Sequence, residues 1–152
     1  MKIDYRLFIQ YDVFETFMNA FAHTLDPHSS YLSPRNSEEY RILREEGTEP
    51  SFSHPLNNEK RRGIFSCAGC GTALFSSDMK FDSGTGWPSF YTSLNDVFET
   101  KTDRKFLMTR TEYHCATCGG HHGHVFNDGP APTGLRYCNN GTALRFKPDE
   151  EG

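Results

Sequence analysis

The spacing of apolar residues divides the chain into two textures. Across 12–25, DVFETFMNAFAHTL, the side chains of Val13, Phe14, Phe17, Phe21 and Leu25 recur at roughly helical intervals, which gathers them on one face of a helix. Asp26-Pro27 should end it, since a residue before proline is pushed out of the helical region. A second short helix is predicted over 36–46, with Asn36 or Ser37 to cap its start and Gly47 after its end. Pro50 through Lys60 is polar and reads as loop. From Gly63 the period changes. Short runs rich in Phe, Tyr, Val and Thr, at 63–66, 72–76, 88–92, 96–100, 105–109, 111–114, 123–126 and 142–147, are separated by clusters of Gly, Asp, Asn and Pro. Such spacing predicts a mainly antiparallel β body behind a helical lead of about 50 residues. No internal repeat or low-complexity tract interrupts it.

At 152 residues the chain suits one domain with a single core. An aromatic share of 14%, with 13 Phe, adds the expectation of a compact core or an aromatic-lined site. Net charge is −4 with both signs interspersed, which leaves no basic stripe of the kind nucleic-acid binding needs. No apolar run approaches the ~20 residues of a membrane span. The N-terminal stretch carries Asp4, Asp12 and Glu15 and no long apolar block. No secretory signal is therefore expected, and the cytoplasm is the expected location.

Cysteine usage adds the first chemistry. Four of the five cysteines form two C-x-x-C pairs, each followed by glycine: Cys67-Ala68-Gly69-Cys70-Gly71 and Cys115-Ala116-Thr117-Cys118-Gly119. A turn of that spacing points two thiolates at one ion, and two such turns complete the tetrahedral four-sulfur shell that Zn²⁺ prefers. The expectation is one structural zinc per chain, held by Cys67, Cys70, Cys115 and Cys118. The 44 residues between Cys70 and Cys115 exceed a simple zinc ribbon, so strands must be inserted there. Two redox dithiols are the competing reading. A thioredoxin-like motif should open a helix in a βαβ setting, whereas these pairs sit among turn and strand signals. A closed four-cysteine site also offers no open position for catalysis. That leaves Cys138 free to react, a pattern suited to a reducing compartment.

Three further segments concentrate reactive groups: Gly84 to Phe90, with the single tryptophan Trp87; His121 to Gly129; and Gly134 to Asn140. Taken singly, each has an ordinary explanation. A lone Trp is usually core, a histidine cluster beside a knuckle is often surface, and a free cysteine is most often an inert buried side chain. Together they offer a nucleophile, a fixed cation, titratable donors and an aromatic plate. Arg136 stands two residues from Cys138, so on a strand both face one side. Its charge would favour the thiolate and lower its pKa. His121 and His124 can donate hydrogen bonds or a proton near neutral pH. Asp128 could orient one of them, and Trp87 offers a flat, polarizable surface to a sulfur-bound methyl group.

On these residues, from about Ser33 to Phe146, the chain resembles the methionine-R-sulfoxide reductases. The resemblance runs in collinear order through SEEYRILREEGTEPSFS, the first knuckle, ALFSSDMKFDSGTGWPSF, the second knuckle, GGHHGHVFNDGPAPTGLRYCNN and ALRF, about three quarters of the chain. It implies a domain over 36–148 of two packed antiparallel sheets (an Mss4-like fold), with zinc away from the catalytic cleft. It also implies attack of Cys138 on the sulfoxide sulfur of the R epimer, peptide-bound more readily than free, leaving methionine and a cysteine sulfenic acid. In relatives of this kind Trp87 would face the sulfoxide methyl with Phe126 beside it. His121, His124, Asp128, Arg136 and Asn140 would bind and protonate the sulfoxide oxygen or tune the thiolate. A monomer acting in protein repair under oxidative stress is expected.

Three departures change the expectation. Many relatives carry at Thr85 a cysteine that resolves the sulfenic acid; here thioredoxin or another external thiol would have to attack Cys138 directly. His122 occupies a position more often apolar, with a small expected effect. Asn139 and Gly141 stand where an apolar residue and Ser are commoner, and Gly141 is expected to loosen the strand behind the thiolate. Residues 1–35, a helical extension without an assigned role, resemble instead a stretch near the front of processing proteases that trim C-terminal tails. Two non-enzymatic readings stand beside the reductase: a zinc-ribbon-like interaction module and a redox sensor using Cys138.

Overall fold

The structure is a computed structural model that describes residues 15–21, 24, 34–105 and 107–150. The chain divides into two units, Met1–Glu38 and Glu39–Gly152. Residues 15–21 and 24 are helical; the remainder of the helix expected over 12–25, and its end at Asp26-Pro27, lie outside the described residues.

Helix α1 spans Pro34–Glu45. It starts earlier than the predicted 36–46, placing Asn36 and Ser37 inside the first turn rather than at a cap. Proline is pre-set for a helix start and loses no bond there. At the other end it is Glu46, not Gly47, that takes the left-handed conformation, φ 55. The Gly47 N–H then donates back to the Arg41 carbonyl at 3.1 Å, which ties down the end of the helix. Ile42 and Leu43 are buried against Ala68 and Ala143.

Among the described residues nine strands follow: β1 (Gly63–Cys67), β2 (Ala73–Ser76), β3 (Lys80–Phe81), β4 (Ser89–Phe90), β5 (Phe98–Lys105), β6 (Met108–Cys115), β7 (His121–Phe126), β8 (Arg136–Asn139) and β9 (Leu144–Pro148). They form the two antiparallel sheets expected of a mainly β fold, in the orders β2-β1-β9 and β3-β4-β8-β7-β6-β5. Phenylalanines join the layers. Phe65 and Phe75 from the smaller sheet meet Phe90 and Tyr113 from the larger, all fully buried. Phe75 stacks on Phe90 at 3.9 Å, and Phe65 meets the same ring edge-on at 5.1 Å, arrangements that add to the area they bury.

The predicted segments 96–100, 105–109 and 111–114 are one long hairpin, paired from Phe98↔Cys115 to Lys105↔Met108. The turn falls where 105–109 reads as strand, with Leu107 in the left-handed region at φ 62. β5 lies at the sheet edge and buries only Asp103, so no apolar alternation marks it, and its charges discourage edge-to-edge pairing.

The pleat of the larger sheet positions the chemistry. Glu112, His124, Cys138 and Ser89 lie directly opposite one another in a row across β6, β7, β8 and β4. The adjacent row, Thr111, Val125, Tyr137 and Phe90, faces the other way because successive side chains alternate, and its last three members pack in the core. β7 and β8 can lie this close because position 123 is glycine: a Cβ there would sit 1.9 Å from the Cys138 carbonyl oxygen. Gly123→Ala is expected to push the two strands apart and cost about 2–3 kcal/mol in denaturant unfolding, as overpacking does. A loss below about 0.5 kcal/mol would contradict this strand contact.

Candidate active site

The two knuckles fold alike. Gly71 and Gly119 take the left-handed conformation, φ 79 and 71, and each N–H closes on the carbonyl of the first cysteine of its pair at 2.8 Å. The four Sγ atoms of Cys67, Cys70, Cys115 and Cys118 lie within 4.8 Å of one another. Cys67 meets Cys118, and Cys70 meets Cys115, at 3.7 Å. A tetrahedron with metal–sulfur bonds of about 2.3 Å puts its sulfurs about 3.8 Å apart, so the spacing fits an ion of that class. Burial pushes the Cys67 and Cys118 thiols up; a cation is what allows such neighbouring sulfurs to ionise together. These four cysteines are arranged to bind a metal ion. Arg44 from α1 donates to the Cys118 carbonyl at 2.9 Å, tying the helix to the second knuckle.

Away from that cluster a cleft of about 120 Å³ opens on the row of the larger sheet, lined by Trp87, Arg110, His124, Phe126, Cys138 and Asn140 among others. Burial pushes the Cys138 thiol up, opposed by the Arg136 charge and by a hydrogen bond from the Thr85 side chain. The Arg136 guanidinium acts in the expected, lowering direction, and desolvation outweighs it. Arg136 donates two bonds to Asp128, at 2.8 and 2.9 Å, and its guanidinium lies over the Phe126 ring, 4.4 Å from the centroid. Asp128 therefore orients the arginine rather than a histidine.

The two histidines differ. His124 Nε2 donates to Asp103 at 2.9 Å, which leaves Nδ1 as the ring's remaining proton site. Arg110 donates to the same carboxylate oxygen at 2.9 Å, and His124 and Arg110 together hold Asp103 below the usual carboxylate range. His121 does not line the cleft. It is buried with Nδ1 on Glu112 at 2.8 Å, its ring 5.7 Å from that of His124. Burial pulls its pKa below the ordinary value, with Glu112 opposing. Asn140 lines the cleft, yet its amide is engaged by backbone: Oδ1 accepts from the Glu49 N–H at 3.0 Å and Nδ2 donates to the His122 carbonyl at 3.0 Å. Gly141 does not loosen a strand. It lies in a turn where a Cβ would strike the His54 ring at 2.4 Å.

A SelR domain matches residues 35–148. Relatives named peptide methionine sulfoxide reductase MsrB come from Methanosarcina barkeri (54% identity, covering 76% of this chain and 82% of the relative) and Leptospira interrogans (53%, 74% and 86%). A third, from Thiobacillus denitrificans, is 53% identical, covering 78% and 89%. The chain belongs to the methionine-R-sulfoxide reductase family. Residues 5–35 match a different domain, the N-terminal domain of tail specific proteases.

For a member of this family the sequence reading missed Asp103, Arg110 and Glu49. The first two sit on a hairpin whose exposed positions hide them. Glu49 is buried and central. Its carboxylate accepts from the Gly141 and Thr142 N–H groups at 2.6 and 2.9 Å and from the Thr142 hydroxyl at 2.6 Å. Its own carbonyl accepts from Trp87 Nε1 at 3.0 Å. One residue thus holds the tryptophan, Asn140 and the turn after β8.

Glu49→Ala leaves the Gly141 and Thr142 N–H groups and the Thr142 hydroxyl without their acceptor and is expected to destabilise by about 2–4 kcal/mol. Fluorescence of the single Trp should shift to the red as Trp87 loosens, and unchanged emission and stability would refute the clamp. Cys138 alkylation should reach its pH midpoint above the ordinary thiol value of about 8.5. Arg136→Met removes a charge that favours the thiolate, so the midpoint should move further up; a downward move would contradict the electrostatics.

Proposed function

We propose that this chain reduces the R epimer of methionine sulfoxide in proteins, with Cys138 as nucleophile. The observation that carries the reading is the placement of Cys138 directly opposite His124 in the cleft that Trp87 and Phe126 line. Trp87 and Phe126 offer apolar surface to the sulfur-bound methyl, and the sulfoxide oxygen would lie toward the polar side of the cleft. The names and identities of the relatives support the same activity.

In the step proposed, Cys138 Sγ attacks the sulfoxide sulfur, the oxygen is transferred to Sγ, and methionine leaves. One thiol and one sulfoxide become one sulfenic acid and one thioether, so the proton lost from Sγ ends on the transferred oxygen. A thiol whose pKa is raised by burial keeps that proton in the site, and His124, held by Asp103, is placed to pass it on as the oxygen needs it. Arg136, aligned by Asp128, favours the thiolate as it forms. His121, behind His124, and Asn140, which fixes the cleft wall, act by positioning. An external thiol would then attack the sulfenic sulfur, releasing water, and a second thiol would free Cys138 as a new disulfide leaves. Thioredoxin fits that role. The absence of cysteine at Thr85 and the placement of the other four cysteines in the metal cluster support it.

One zinc ion per chain is the metal we assign to the four cysteines, as a structural clamp on both knuckles. A free fifth thiol suits a reducing cytoplasm, and the negative net charge argues against nucleic acid. Among the described residues no helix is long and apolar enough to cross a membrane. We assign the reductase domain to 36–148, and no role to 1–35.

Assays with separate epimers and dithiothreitol test the reading. The R epimer should be consumed catalytically and the S epimer spared. Cys138→Ser should abolish turnover, and His124→Ala should cost ~10²–10³-fold. Full turnover by Cys138→Ser would overturn the proposal. After one turnover without reductant, mass analysis should find a single added oxygen on Cys138; an internal disulfide would rule out the external-thiol route.

A further inference from the structure

His122 is fully buried, as is Cys67, and its Nε2 lies 3.4 Å from the Cys67 sulfur. Aromatic neighbours fix the ring. Tyr113 stacks parallel at 6.4 Å and Phe98 meets it edge-on at 5.5 Å. Its carbonyl is anchored by the Asn140 N–H at 2.8 Å, so neither backbone nor ring is free to turn away from the sulfur. Among the described residues the other ring nitrogen, Nδ1, has no hydrogen-bond partner. Beside it, the Asn139 amide accepts from the Tyr113 hydroxyl at 2.7 Å and donates to the Asn140 carbonyl at 2.8 Å. His122 and Asn139, the latter on the strand that bears Cys138, are both fully buried.

A metal-bound cysteine is a thiolate, and a thiolate only accepts. The hydrogen between these atoms must then sit on Nε2. We infer that His122 is a positioning residue of the metal cage, donating its Nε2–H to the Cys67 thiolate. Partners behind the ligands hold them in place and set how readily the metal is lost. Here the donor reaches a fully buried sulfur, where no water can take its place. The inference rests on the four cysteines holding a metal.

Full-length, zinc-loaded protein tests it. His122→Leu fills the space without a donor, while His122→Gln keeps an N–H. His122→Leu is expected to release zinc to a chromogenic chelator about 10–100-fold faster. In the cobalt-substituted protein its sulfur-to-metal charge-transfer bands should move to lower energy, because the sulfur lone pair loses a hydrogen bond; the ligand-field bands of a four-sulfur site should stay. His122→Gln should restore both readouts toward the parent. Parental release and band positions in His122→Leu would overturn the proposal and leave the ring as packing. Should His122→Leu fail to fold, the nitrogen-15 spectrum of the parent decides: hydrogen on Nε2 upholds the donor role, and hydrogen on Nδ1 overturns it. Parent protein purified with zinc present but holding none would overturn the cage itself, and the donor role with it.

Discussion

The contact between β7 and β8 is the constraint on which the site depends. With no side chain at Gly123, the backbones approach closely enough that a Cβ would sit 1.9 Å from the Cys138 carbonyl. That approach sets the register in which His124 faces Cys138 and Phe126 faces Arg136. A slip of one residue would turn Cys138 into the core and Tyr137 out of it, because the side-chain period of a strand is two. The same pairing thus stabilises the sheet and assembles the reactive row.

Electrostatics then divide the work among neighbours. Cys138 sits where desolvation outweighs the Arg136 charge, which raises its pKa. Arg136 is not a free cation. Asp128 grips it from one side and the Phe126 ring lies against its face, which fixes its position at the expense of part of its field. Asp103, itself buried, plays the parallel part for His124, and the half-buried Arg110 pairs with the same carboxylate. Each reactive group has a partner that orients it, the arrangement a site needs if its geometry is to survive side-chain motion.

The metal cluster and Glu49 solve a mechanical problem that the core leaves open. The phenylalanine layer between the sheets holds β1, β2 and β4 together, and the segments before β4 and after β8 are tied in addition by polar bonds. Four sulfurs join the ends of β1 and β6 through their knuckles. Glu49 joins the segment after α1 to Trp87 and to the turn at Gly141–Ala143. Glu49 is buried and the cluster partly so, and both depend on every partner being present.

Much was legible in the chain before any fold. The knuckle spacing named the four metal-binding cysteines and isolated Cys138, since ligand geometry is local and a C-x-x-C turn needs no distant contact. Alternating Phe, Tyr and Val runs announced a β body. The motifs carried the family, and with it Trp87, Phe126 and Asn140. Other features depended on distance. Arg136 and Asp128 are eight residues apart, and nothing in the sequence says that they pair with each other rather than with a histidine. The pKa direction of Cys138 follows from how much water the packed sheet excludes. Nothing in the sequence singles out Glu49, Asp103 or Arg110 as buried or paired, and His122 reads as a departure of small effect. The sequence determines which groups exist and which short-range turns they make. Only the tertiary structure decides which of them lose water and meet, because desolvation and cross-strand register arise from residues far apart along the chain.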